Sequence, residues 1–389
     1  MFPTVVHFNE TYTLPFIYYT IRNHQKYRSF VLCRKISKNN QYLFPFEGIL
    51  SSPSLYDIEN LVNRAFMKYF KGIKLINNPY AYIDAIKMLD SCSILHAHFG
   101  NEGYYALSVA KRLNLPLVVT FYGGDMSDMP NIKIWNKRLF YLFKNGDAFI
   151  VEGESMKNKM IELGCPEKKL HVVRIGIQLN ETPYSPRSIP RPGEDLIILM
   201  CANFVEKKGF PIALRAFKEI NSIFKKTRLV IIGDGKLIND INSLIVELNL
   251  SEKVNMLGRL SLDQFFKESK KAHIFLQPSI TDSKGGTEGG APTTLIQMQA
   301  SGLPIISTFH ADIPNVVING KAGLLSPEKD VSSLIDNLKH LISNPQLWNK
   351  FGQYGRRFVE KHHDVTTCVK QIEMIYDDLI HKRVKNLSN

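Results

Sequence analysis

Glu288, the glycines behind it and the pair Thr293-Thr294 belong to one stretch, Thr287-Glu288-Gly289-Gly290-Ala291-Pro292-Thr293-Thr294-Leu295-Ile296-Gln297-Met298-Gln299-Ala300. These residue types suit an anion that carries a polyol. The glycines let backbone approach a ligand closely, and Pro292 suits a first helical turn, where its missing N–H is not needed. The first N–H groups of such a helix and its positive end then face the loop, a natural seat for a phosphate or diphosphate. Glu288 can take hydroxyl hydrogen bonds there, and Thr293 and Thr294 offer hydroxyls. An ordinary glycine-rich turn capping a core helix carries the same pattern and in isolation is the commoner meaning, so context decides.

The elements that must position this stretch alternate. Thr4 to Phe8, Ser29 to Cys33, Ile94 to Phe99, Leu117 to Phe121, Ala148 to Val151 and His171 to Ile175 read as strands. Leu14 to Arg22, Ser54 to Phe70, Tyr80 to Leu89, Gly103 to Leu113, Ile134 to Phe143 and Met156 to Leu163 read as helices between them. Such alternation predicts a parallel sheet wrapped by helices. Asn180 to Asp195, with Pro183, Pro186, Pro190 and Pro192, is the clearest composition break and reads as a linker. A second α/β run follows. Ile197 to Cys201 and Leu229 to Ile232 are continuous apolar runs, as in strands buried on both faces. Val254 to Leu257, Ala272 to Gln277 and Pro304 to Thr308 are further strands, Ser261-Leu262-Asp263-Gln264 is a capping box, and Val331 to Ile342 and Val365 to Lys385 are helical. Two doubly wound units leave a cleft with ligand loops at the carboxyl ends of the strands. His98 to Asn101, Tyr122 to Asp125, Asn203 to Lys208, Gly233 to Gly235 and Asp282 to Gly290 fall at such ends.

The bounds agree with a globular protein. A chain of 389 residues suits about two domains, and 44% hydrophobic with 22% charged residues is ordinary for a packed core. Cys33, Cys92, Cys165, Cys201 and Cys368 are scattered without a Cys-x-x-Cys pair, which predicts reduced thiols, a cytoplasmic compartment and no zinc site. Met1-Phe2-Pro3-Thr4 lacks a basic segment followed by an apolar core, and no apolar run approaches the ~18 residues that span a bilayer. The expectation is a protein neither secreted nor integral to a membrane. A net charge of +13 favours an anionic partner without naming it.

In order and spacing, Ile94 to Asp125, Ser155 to Gly176, Cys201 to Phe217, Val230 to Leu237, Glu288 to Thr308 and Gly355 to Glu360 resemble the GT-B-fold glycosyltransferases of family 4. This is a retaining class that uses nucleotide-sugar donors; the nearest likeness is to bacterial exopolysaccharide, capsule and lipopolysaccharide enzymes. The resemblance implies an α/β GT-B fold of two Rossmann-like domains with an interdomain cleft. An acceptor-binding domain would take 1–182, a donor-binding domain 183–365, and a helix over 366–389 would pack back towards the first.

The same resemblance places Lys208 on the donor diphosphate, where a cation stabilises charge on the leaving group, and Glu288 on donor-sugar hydroxyls. Leu257, in Met256-Leu257-Gly258-Arg259, would meet the nucleobase through backbone, although core packing also explains Met256 and Leu257. Asn203, Gly233, Gly289, Gly290, Ala291, Pro292, Thr293, Thr294 and Gln297 complete the donor set. His98, Tyr122 and Asp125 would line the acceptor side with Gly123 and Gly124, and Glu288, Lys208, His98 and Asp125 form the catalytic set. Three positions depart from the family pattern: Asn203 stands where an arginine is usual, Gln297 where a ribose-binding glutamate is usual, and Tyr122 where a histidine is usual.

The implied reaction transfers a sugar with retention, a departing phosphate oxygen accepting the acceptor's proton so that no strong protein base is needed. The acceptor would be a saccharide or lipid-linked saccharide. No cofactor is expected beyond the donor as substrate, and no metal, since no carboxylate or cysteine stands at ligand spacing from His96 and His98. Those two histidines could equally hydrogen-bond neighbouring backbone, and Asp125 could cap a helix. Arg64 to Lys74 and Ile134 to Lys144 are basic and aromatic, and could rest on anionic lipid or simply pack inward. Rival readings are a catalytically silent scaffold of a polysaccharide-assembly complex, an epimerase on the same fold, and nucleic-acid binding, which has only net charge behind it.

Overall fold

The computed structural model describes residues 3–11, 15–35, 49–51, 83–87, 89, 92–127 and 129–388. The expected helix at Ser54 to Phe70 and the basic stretch Arg64 to Lys74 lie outside these, as does part of Tyr80 to Leu89. The chain forms two compact units, Met1–Gly176 together with Val365–Asn389, and Ile177–Asp364.

In the first unit the chain runs β1 (Thr4–Thr11), α1 (Pro15–Arg22), β2 (Arg28–Lys35), β3 (Ile49–Ser51), α2 (Ile83–Lys87), β4 (Cys92–His98), α3 (Gly100–Leu113), β5 (Leu117–Thr120), α4 (Gly123–Ser127), α5 (Lys133–Asn145), β6 (Ala148–Val151), α6 (Glu154–Glu162) and β7 (Leu170–Val172). Among the described residues its seven strands are all parallel, in the order β3-β2-β1-β4-β5-β6-β7.

The pleat sorts neighbours to opposite faces. Val6, Phe8, Leu95, Ala97, Val119 and Val151 pack into one core with α3, α5 and α6. Val5, Ile94, Val118 and Ile150 face the other way, against Cys368, Ile372 and Tyr376.

The second unit runs β8 (Leu196–Cys201), α7 (Phe210–Ile223), β9 (Thr227–Ile232), α8 (Ile238–Glu247), β10 (Val254–Met256), α9 (Leu262–Lys271), β11 (Ile274–Leu276), α10 (Thr293–Ala300), β12 (Ile305–Thr308), α11 (Ile313–Val316), β13 (Gly323–Ser326), α12 (Val331–Ser343) and α13 (Gln346–His362). Its six parallel strands lie in the order β10-β9-β8-β11-β12-β13. Both faces of this sheet carry a core, which is why β8 and β9 read as unbroken apolar runs. The capping box is formed: Ser261 Oγ accepts from Gln264 N while Gln264 accepts from Ser261 N. The chain then leaves this unit, and α14 (Val365–Ser388) supplies the buried Cys368, Ile372 and Tyr376 of the first.

Several details differ from the sequence expectation. Helix α3 begins at Gly100 rather than Gly103, because Phe99 takes a positive φ of 79° and turns strand directly into helix. The polar loop expected at Gly123-Gly124-Asp125 is the short helix α4. Strand β7 ends at Val172, since it pairs only with β6, whose last partnered residue is Val151. The proline-rich stretch 180–195 lies in the second unit and is not a free tether. Arg187 is buried there, donating to the carbonyls of Ser269, Ala272 and Ser301, while its backbone pairs with the Asn349 side chain. Among the described residues no helix is long and apolar enough to cross a membrane.

Candidate active site

The site in the second unit is assembled from loops at the carboxyl ends of β8, β9, β11 and β12. The loop after β8 turns at Gly209 with φ +67°, where a Cβ would stand 1.9 Å from the Pro278 carbonyl oxygen. Only glycine lets this loop press against the one after β11. Gly233, after β9, is constrained in the same way: a Cβ would stand 1.9 Å from the Ala202 oxygen.

With the loops pressed together, three successive side chains cross from one to the other. Glu206 accepts from Ser283 N at 2.8 Å and Ser283 Oγ at 2.7 Å. Lys207 Nζ donates to the Thr287 carbonyl at 2.8 Å. Lys208 Nζ meets Glu288 Oε2 at 2.7 Å, their side chains 14% and 7% exposed.

Glu288 is therefore not the solvated loop carboxylate that its sequence setting allows. Its other oxygen accepts from Ser279 Oγ at 2.8 Å. Burial works to raise its pKa, but the Lys208 ammonium and the hydrogen bonds from Lys208 and Ser279 outweigh it, and the carboxyl is held below its ordinary range. Glu288 N donates to His310 Nε2 at 2.9 Å. That nitrogen must then carry the lone pair, so His310 Nδ1 holds the proton and donates to Glu328 Oε1 at 2.7 Å. Glu328 also accepts from Thr281 N at 2.6 Å, clamping both ends of the loop after β11.

Ser279, His310, Glu328 and the crossing roles of Glu206 and Lys207 are absent from the sequence reading. The signal available for His310 was its place just past the apolar strand Ile305–Thr308, where the other ligand loops also stand.

The remaining donor candidates lie in the same unit. Pro292 caps α10 with an extended ψ of 130° rather than occupying its first turn, and the helix starts at Thr293. The Thr294 hydroxyl is engaged, donating to Gln277 Oε1 at 2.8 Å. Gly289 takes a positive φ of 77° and Gly290 is buried; Ala291, Thr293 and Gln297 are half-buried; Asn203 and Leu257 are exposed.

The first unit gathers His98, Tyr122 and Asp125. His98 and Asp125 are buried, and His98 Nδ1 pairs with the Tyr122 hydroxyl at 2.9 Å. Asp125 accepts from Tyr122 N at 3.1 Å. Burial pushes its carboxyl up to about 7, against the pull of hydrogen bonds from the backbone of Tyr122 and Gly100. It is thus both the local cap that its position allowed and an acid poised near neutrality. Gly124 is exposed and Gly123 half-buried. His96 and His98 do not bond neighbouring backbone: their ring nitrogens go to the side chains of Tyr376, Thr120, Tyr122 and His7.

Comparison with known proteins gives a consistent result. Residues 4–181 match the model for Glycosyltransferase Family 4, and residues 182–358 that for Glycosyl transferases group 1. A putative colanic acid biosynthesis glycosyltransferase of Salmonella typhimurium is 30% identical over 62% of this chain. An amylovoran biosynthesis glycosyltransferase of Erwinia amylovora is 30% identical over 65% of it. The matched part spans 59% and 62% of those two relatives. An uncharacterized glycosyltransferase of Methanocaldococcus jannaschii is 27% identical over 82% of this chain and 84% of its own. Among solved structures, Anabaena HepE in complex with UDP and glucose superimposes with a TM-score of 0.76 at 12% identity, covering 97% of this chain and all of the other.

Proposed function

The chain belongs to the GT-B glycosyltransferases, a family 4 unit followed by a group 1 unit, and on that footing we propose that it transfers a hexosyl residue from a nucleotide-diphosphate sugar, with retention, to a saccharide or lipid-linked saccharide during cell-surface polysaccharide synthesis. The reading is carried by the Lys208–Glu288 pair, a largely buried cation and carboxylate joined at 2.7 Å beside the glycine-rich turn into α10.

An ammonium has three donors and Glu288 takes one, leaving Lys208 able to hold a diphosphate oxygen as negative charge builds on it. Glu288 is fixed on three sides, by Lys208, Ser279 and, through its own backbone, His310. A carboxylate so fixed orients sugar hydroxyls. It is also a poor proton acceptor, being held in the ionised form by its cation, which fits a route in which the departing phosphate oxygen takes the acceptor proton. The first unit would take the acceptor. The colanic acid and amylovoran relatives support a polysaccharide context, and UDP in the HepE complex supports a nucleotide-sugar donor.

The test is calorimetric binding of UDP, GDP and ADP, followed by turnover of the matching sugar donors and assignment of the product anomer by NMR. One nucleotide should bind, Lys208→Gln should weaken it by roughly ten- to a hundredfold, as expected for loss of a charge-assisted hydrogen bond, and the anomer should be retained. A silent scaffold would bind none of the three and turn nothing over; an inverted anomer would remove the retaining mechanism.

Peripheral attachment to an anionic membrane surface is part of the same proposal. Helix α5 buries Leu139, Leu142 and Phe143 but exposes Ile134, Phe140 and Tyr141, with Lys133, Lys137 and Lys144 also exposed. An apolar strip flanked by cations suits a headgroup interface. Co-sedimentation with anionic liposomes at low salt is expected, and should fall with Ile134→Ser/Phe140→Ser.

A further inference from the structure

The pleat and register of the first sheet bring together three histidines that the sequence keeps apart. His7 on β1 is the direct partner of His96 on β4, and His98 stands two residues further along the same strand. All three share the face of the sheet occupied by Val5 and Ile94, and all are fully buried. One ring nitrogen from each lies within 4.8 Å of the others. From this geometry we propose that His7, His96 and His98 bind one first-row divalent cation of the zinc class.

The distances suit such an ion. His7 Nδ1 and His98 Nε2 are 3.1 Å apart. Two nitrogens bound tetrahedrally at ~2.0–2.1 Å stand roughly 3.4 Å apart, so a small opening of the pair admits the cation.

The surrounding groups form an outer shell of the kind that ligating imidazoles need. His98 turns its other nitrogen, Nδ1, to the Tyr122 hydroxyl at 2.9 Å. His96 has a hydroxyl on each side, Tyr376 and Thr120, so whichever nitrogen binds the ion, the other keeps a partner. Burial, with smaller repulsion among the imidazoles, holds all three well below the ordinary histidine range, His98 at about 3. They are neutral at physiological pH and their lone pairs are available for ligation.

The rival is a cation-free chain of hydrogen-bonded imidazoles running from Tyr122 through His98 to His7. His7 Nε2 is buried without a hydrogen-bond partner among the described residues under either arrangement, so metal titration decides between them.

The donors are all nitrogen, which favours zinc, cobalt, nickel or copper over magnesium, calcium or manganese. Because Tyr376 belongs to α14, the cation would also tie that helix to the sheet.

The test uses the untagged full chain. After a zinc-supplemented preparation, elemental analysis should find about one equivalent of zinc. Titration of chelator-treated protein with Co2+ should give the intense visible absorption of a tetrahedral nitrogen site, saturating at one equivalent and bleached by Zn2+. His7→Asn should abolish the signal, Tyr122→Phe should weaken binding roughly ten- to a hundredfold, and replacing the exposed His381 by Ala should leave it intact. Absence of a saturable Co2+ signal in the wild-type chain overturns the proposal without recourse to any variant, as does a signal that survives His7→Asn.

Discussion

Lys208 and Glu288, proposed above to hold the donor, are also each other's largely buried counter-charge. Removing one alone leaves an uncompensated charge at a site that is 7–14% exposed, a change that typically costs about 3–5 kcal/mol. Lys208→Met should therefore lower stability by an amount of that order in urea unfolding of the second unit. The double variant Lys208→Met/Glu288→Gln should recover much of the loss while remaining inactive. If single and double variants are equally unstable, the pair is not coupled as its geometry implies.

His310 holds the Glu288 backbone on one side and Glu328 on the other, so His310→Phe, which removes the acceptor for Glu288 N, should raise the donor KM more than it lowers kcat. Glu328→Gln should do so more weakly. A fall in kcat alone would give His310 a different role.

Asp125 gives a pH signature in the first unit. The folded carboxyl keeps its proton up to about 7, whereas an unfolded aspartate loses it near ~3.9. The folded state thus binds more protons between these values, and its stability falls as pH rises through that window, by an amount on the order of a few kcal/mol. Asp125→Asn should flatten this slope in denaturation curves taken across the same range.

At the scale of elements, α14 joins the first unit although residues 177–364 separate it from the rest of that unit in the chain, and specific bonds hold it there. Glu373 accepts from the backbone of Gln25 at 2.7 Å and Lys26 at 2.9 Å, and Asp377 accepts from the Tyr27 hydroxyl at 2.7 Å. Cys368, Val369, Ile372, Ile375 and Tyr376 are buried in the first unit. Ending the chain at residue 364 exposes that core face, and the first unit should lose its cooperative thermal transition while the second keeps its own.

Sequence periodicity announced α14 as a helix, as it announced β5, β6, β8 and β9, since each obeys a local rule. Its partners could not be read in the same way, because Asp377 and Tyr27 are joined by no spacing. The histidine cluster shows the same limit. His96 and His98 are visible as an alternating pair, but the third imidazole comes from β1, and only strand register brings His7 opposite His96. The loop clamp was half legible: Lys208 and Glu288 follow from family likeness, while His310 and Glu328 sit on later strand ends with no motif to mark them.

At the scale of the molecule, the positive charge expected to draw an anionic partner has a concrete place to act on α5, where exposed lysines accompany exposed Ile134, Phe140 and Tyr141. Liposome binding should weaken steeply as salt rises towards physiological strength, because the cations are exposed and screened. Binding indifferent to salt would mean that insertion of the apolar residues dominates.

The discontinuous make-up of the first unit also sets an order of events during synthesis. Residues 1–176 leave the ribosome first, yet the face of their sheet bearing Val5, Ile94 and Val118 waits for 365–389. All of residues 177–364 must be translated in between, which takes roughly ten to forty seconds at ~5–20 residues per second. The half made later is therefore finished earlier, and the nascent first half carries an uncovered apolar sheet face through that interval, a client for a chaperone such as a ribosome-bound holdase.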